Sequence, residues 1–158
     1  MNTLPSMLRT GLLATALVTG AVLTTGCGST SMAQPAPMTM ATQTFRATLS
    51  AAAEVPANAS PGTGTLEASF DKGTSVLKWR VTYSGLTGPA TMAHLHGPAM
   101  PGANAGVAVP FASAASPIEG SATLTPAQVA DLMAGKWYVN VHTAQNPGGE
   151  IRGQVLVN

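Results

Sequence analysis

Between residues 76 and 83 the side chains alternate without a break. Leu77, Trp79, Val81 and Tyr83 point one way, while Lys78, Arg80 and Thr82 point the other. Successive side chains of a strand leave on opposite faces, so this stretch can bury its apolar set only as a strand in a half-wetted sheet. The period recurs in residues 45–50, and again in residues 64–70, where Leu66, Ala68 and Phe70 share a face. Asp71, Lys72, Gly73 and Thr74 join two of these runs as a hairpin turn, which makes the pairing antiparallel.

The rest of the chain follows the same grammar. Pro56 and Pro61 cannot enter a central ladder, so residues 54–62 form a loop. Residues 84–89 turn into a short strand at 91–96, a Gly- and Pro-rich loop follows at 97–106, and residues 107–111 make another strand. Residues 121–124 are a strand leading into a helical turn or two. Thr125 is its N-cap, Pro126 its first residue and Gln128 the closing member of a capping box. Val129, Leu132 and Met133 give this helix an apolar side, and Gly135 ends it. Residues 136–143 and 150–157 form a last hairpin around Pro147, Gly148 and Gly149. The expected fold is all-β: an antiparallel Greek-key β-sandwich or barrel of about eight strands with one short helix.

The N-terminal part is of another kind. Residues 1–26 carry Arg9, then an apolar run over residues 11–23 that is short for a bilayer span but suits a secretory signal. Thr24, Thr25 and Gly26 precede Cys27, the only cysteine, and resemble a bacterial lipobox, although Thr24 stands where an apolar residue is usual. The resemblance implies lipidation of Cys27 and a membrane anchor in the bacterial cell envelope, facing the periplasm or the surface. The alternative is an ordinary cleaved signal with an incidental cysteine. Residues 27–43 lack charge and periodicity and read as a disordered tether, leaving residues 44–158 as one β domain. Met32, Met38 and Met40 are thioethers able in principle to hold Cu(I), but chance explains them in a small-residue linker. A single cysteine excludes an intramolecular disulfide, so an exported domain must stand on its core.

Several function classes fall away. With 7 basic and 6 acidic residues there is no basic patch to neutralise a run of phosphates, so nucleic acid is not a partner. The chain has no Gly-x-Ser-x-Gly elbow and no phosphate-binding glycine loop.

Three motifs carry a resemblance. Residues 93–99 contain His94, His96 and Pro98; residues 138–143 run from Tyr138 through Asn140 to His142; residues 147–154 contain Gly149, Glu150, Arg152 and Gln154. In this order, with an early segment that includes Glu54 and Pro56, they resemble the chordin-type domain, CHRD, from about residue 44 to the end. The resemblance implies an all-β extracellular or envelope module and no established catalysis. The first expectation for such a module is that its sheet face or loops bind a ligand or an envelope or extracellular protein.

All three histidines fall in these motifs. His94 and His96 share a strand face with Met92 beside them, and His142 shares its own face with Tyr138 and Asn140. If the two strands are neighbours, three imidazoles can meet on one copper or zinc ion, and a thioether such as Met92 or Met100 inclines the site towards copper. The competing expectation is structural, with the histidines donating to loop carbonyls. A redox enzyme at such a metal is a third reading and needs an open coordination position. Glu150 and Arg152 lie on one side of the last strand and are expected in a cross-strand ion pair, or capping the turn, rather than in acid–base catalysis.

Overall fold

A computed structural model describes residues 41–158, so the expected signal peptide, Cys27 and most of the expected tether lie outside the described residues. Eight strands form one antiparallel sheet: β1 (Thr42–Ser50), β2 (Thr63–Asp71), β3 (Val76–Ser84), β4 (Ala90–His96), β5 (Val107–Pro110), β6 (Ile118–Thr123), β7 (Trp137–Thr143) and β8 (Ile151–Val157). Their order across the sheet is β5-β4-β7-β8-β1-β2-β3-β6. The sheet curls into a nearly closed barrel. Its two edge strands, β5 and β6, are consecutive in the chain, and the residues between them span the gap: Phe111 stacks on Trp79 at 4.9 Å, and Tyr83 Oη donates to the Ala114 carbonyl. Covering the seam in this way protects edges that would otherwise template association.

Alternation decides which residues enter the barrel. Leu77, Trp79 and Val81 of β3 join Leu66, Ala68 and Phe70 of β2 and Phe45, Ala47 and Leu49 of β1 in the core. On the outer face Arg46 pairs with Glu67 and Arg80 with Glu119, both exposed. The hairpin turn forms as expected, with Asp71 Oδ1 accepting the N–H groups of Gly73 and Thr74.

Helix α1 (Pro126–Met133) opens on the expected capping box: Gln128 N donates to Thr125 Oγ1 and Thr125 N to Gln128 Oε1. Leu132 enters the core, with Val129 and Met133 packed against it. Gly135 ends the turn at φ +68°, a left-handed conformation suited to glycine. Among the described residues no helix is long and apolar enough to cross a membrane.

Two boundaries differ from expectation by more than one residue. β1 begins at Thr42, so Thr42 and Gln43 join the sheet where a tether was expected. β6 begins at Ile118 rather than 121, because Ile118 is a core residue directly opposite Val81. Its neighbours Ser116 and Pro117 mask that role in the sequence.

Candidate functional site

Strand β7 is buried along its whole length. Trp137, Val139 and Val141 face the core. The opposite parity places Tyr138, Asn140 and His142 on the outer face of the barrel wall. There β4 contributes Met92, His94 and His96 on one side of β7, and β8 contributes Arg152 and Gln154 on the other. The registers bring Met92 opposite His142, His94 opposite Asn140, and His96 opposite Tyr138. On the other flank Asn140 stands opposite Arg152 and Tyr138 opposite Gln154.

Loops roof this layer. Arg152, 1% exposed, donates to Asn104 Oδ1 at 3.0 Å and to the Ala103 carbonyl at 2.8 Å. Tyr138 Oη accepts from Ala105 N and donates to the Ala105 carbonyl. Gln154 donates to the carbonyls of Ala99 and Gly135. The outer layer is therefore a small polar core, and the buried Arg152 and Tyr138 and the half-buried Gln154 all have partners, as burial requires.

The three imidazoles converge. One ring nitrogen from each of His94, His96 and His142 lies within 4.8 Å of the other two. His94 Nδ1 and His142 Nε2 are 3.2 Å apart. A tetrahedral ion at 2.0–2.1 Å holds its nitrogens about 3.3 Å apart, so a modest closure brings the rings to bonding distance.

The hydrogen bonds behind the rings determine which nitrogens are free. A carbonyl can only accept, so His96 donates through Nδ1–H to Ala105 at 3.1 Å, and His142 through Nδ1–H to Pro147 at 2.9 Å. Both then present Nε2 as a lone pair. His96 Nε2 is buried and makes no hydrogen bond of good geometry, although the Asn140 side chain is close enough to act on the ring's pKa. His142 Nε2 meets Asn140 Oδ1 at 3.0 Å, where two acceptors face each other. Either the amide turns its NH2 group towards the ring or a cation takes the lone pair. A histidine whose second nitrogen donates to a carbonyl is the usual support of a metal ligand. Burial pushes the pKa of His94 and of His96 down; repulsion from His142 and His96 adds to the effect at His94, whereas the Ala105 carbonyl opposes it at His96. Both shifts favour the neutral, ligating form.

Two sequence expectations for β4 and β7 are thus met in placement: the strands are neighbours, and the histidines share a face. Of the carbonyl bonds expected in the structural reading, that of His96 is present; His142 makes a second, whereas His94 faces His142 instead. Met92 is 49% exposed at the rim and Met100 is 57% exposed.

The expected cross-strand ion pair does not form: among the described residues neither Glu150 nor Arg152 takes part in a salt bridge. Glu150 is fully buried just before β8. Its carboxylate accepts from Ser60 Oγ (2.6 Å), Thr87 N (2.6 Å), Thr87 Oγ1 (2.8 Å) and Thr143 Oγ1. Burial alone would raise its pKa, but these bonds outweigh it and hold the group at about 2. Glu150 is a clamp joining the 54–62 loop, the 84–89 turn and β7. Arg152 instead lies over the Tyr138 ring at 3.5 Å.

Glu54, Tyr138 and Asn140 gain roles that the sequence did not assign. Glu54 is buried, its Oε1 lacks a partner, and burial raises its pKa to about 7 against the pull of Arg152 and bonds from Val55 and Asn140. The available signal was parity: Tyr138 and Asn140 share the His142 face.

Compared with known proteins, residues 45–155 match the family model of the CHRD domain. No curated protein and no solved structure matches the chain.

Proposed function

This chain belongs to the CHRD domain family, and from that premise we propose a non-catalytic binding module of the bacterial envelope whose ligand is a copper or zinc ion held by His94, His96 and His142. The observation that carries this reading is the buried, unpartnered Nε2 of His96. Its Nδ1 is committed to Ala105, and the ring nitrogens of the other two histidines lie within 4.8 Å. Leaving a buried acceptor unmatched costs about 1–3 kcal/mol, which a bound cation would recover. Metal entry displaces at most the proton between His94 and His142, while the bonds to Ala105 and Pro147 stay in place. Glu150, the carboxylate in the same motif as Pro147, is saturated by four donors and takes no part in the site.

The test is metal content and affinity of a soluble form beginning at Ala41, beside His96→Gln. One equivalent of copper or zinc in the parent, lost in a variant that stays folded, supports the reading. No metal in either removes it and leaves the alternative of an envelope or extracellular protein as the ligand. In the proposal Cys27 carries the lipid anchor. Cys27→Ser then moves the protein from the membrane fraction to the soluble one, and unchanged fractionation rejects the anchor.

A further inference from the structure

We infer that the ion this site is built to take is monovalent copper, with the thioether of Met92 as its fourth donor. The inference rests on the metal reading above and specifies its cargo. Met92, His94 and His96 alternate on the outer face of β4, and Met92 stands directly opposite His142 on β7. Opposite residues on neighbouring strands have Cβ atoms about 4.5–5.5 Å apart. An unbranched methionine therefore reaches an ion held by the His142 ring. The other sides of the cluster are closed by Tyr138, Asn140 and the 97–106 loop, whereas Met92 and the half-buried His94 form its open rim.

Charge decides between the candidate ions. The cluster holds three imidazoles and no carboxylate. Of the nearby acids, Glu54 interacts with Asn140 rather than with the rings, and Glu150 is bound to four hydroxyl or N–H donors. A cation flanks the cluster: Arg152 lies 3.5 Å from the Tyr138 ring, and Tyr138 stacks on His96 at 4.8 Å. Repulsion from Arg152 grows with the charge of the ion, and the cost of removing the ion from water grows with its square. A neutral set of three nitrogens and one soft sulfur therefore favours Cu(I) over Zn²⁺. Copper enters and leaves in one oxidation state, so no oxidant or reductant is needed.

The experiment uses the full-length chain under anaerobic conditions. Cu(I) is titrated against a cuprous chelator and Zn²⁺ against a zinc chelator, for the parent, Met92→Leu and His96→Gln. The parent should hold Cu(I) about 100-fold more tightly than Zn²⁺. Met92→Leu, at a half-exposed position, should weaken Cu(I) about tenfold, leave Zn²⁺ unchanged and remove the copper–sulfur signal from the X-ray absorption spectrum. His96→Gln should lose both metals. A parent that holds zinc as tightly as Cu(I), or a Met92→Leu variant that weakens both metals equally or neither, overturns this inference and leaves the metal site standing. A parent that binds neither metal overturns the metal reading itself.

Discussion

The imidazole of His96 lies flat on the phenol of Tyr138, with ring centroids 4.8 Å apart and planes inclined by 3°. Arg152 covers the same phenol from the β8 side, its guanidinium carbon 3.5 Å from the ring centroid. The stack links β4, β7 and β8 and fixes the plane of the one imidazole whose free nitrogen is buried. Pinning a ligand's plane before the ion arrives removes an ordering cost from binding.

Tyr138→Phe and Tyr138→Leu should therefore separate. The phenylalanine keeps the stack and loses only the hydroxyl contacts to Ala105, at about 1 kcal/mol of stability with metal affinity nearly unchanged. The leucine frees the His96 ring and should lower metal affinity about tenfold, a cost comparable to other losses of ligand support. Urea unfolding and metal titration of both variants check this. Equal affinities in the two would mean that the stack does not position His96.

Glu54 makes the opposite contribution to stability from an ordinary carboxylate. Its folded pKa of about 7 lies above its usual 4.5, so the folded state holds the proton longer than the unfolded one. Stability attributable to this group falls as pH rises from about 4.5 to about 7 and stays low above that. Glu54→Gln should match the parent near pH 4 and exceed it at pH 8 by about 1–2 kcal/mol, allowing for solvent screening. Chemical unfolding of both proteins across pH measures the crossover, and parallel profiles would reject it.

Glu150 titrates the other way. Its folded pKa of about 2 lies below the usual 4.5, so its stabilisation is complete above 4.5 and is lost as pH falls towards 2. Glu150→Gln places an NH2 group against hydroxyls and an N–H that now donate to the carboxylate, and should cost about 1–3 kcal/mol at neutral pH. The gap between variant and parent should narrow near pH 2–3. A gap that persists there would locate the effect in packing rather than charge.

Gly153 lies on the core side of β8, where β1 passes close. A Cβ there would stand 2.4 Å from the Thr48 carbonyl oxygen, a backbone atom that cannot swing aside. Gly153→Ala should destabilise the barrel by about 1–3 kcal/mol. Gly88→Ala, which meets nothing within 4 Å, serves as the neutral control. Thermal melts that rank the two alike would remove the close-approach argument.

Much of this architecture was readable from local patterns. The alternation of β3, the Asp71 turn, the Thr125–Gln128 capping box and the shared face of His94 and His96 all depend on residues within one or two turns of chain. The reading failed where the partner was remote. Ile118 extends β6 because Val81 lies opposite it, and Glu150 takes hydroxyls from Ser60 and Thr87 instead of pairing with Arg152 two residues away. The 54–62 and 97–106 loops were legible as loops. That they would fold over the outer face of β7 and supply Asn104 and the Ala105 carbonyl was not.

The kind of element, its faces and the chemistry on each face were thus set locally, because strand alternation and turn conformation are short-range steric properties. The register in which β4 and β7 pair, setting Met92 against His142 and His96 against Tyr138, came instead from long-range packing. Val139, Val141, Ala93 and Leu95 pack on the opposite face, and a slip of one residue would move them out of the core. The meeting of three histidines 46 to 48 residues apart and two residues apart in the chain is thus a consequence of how the barrel fills its interior.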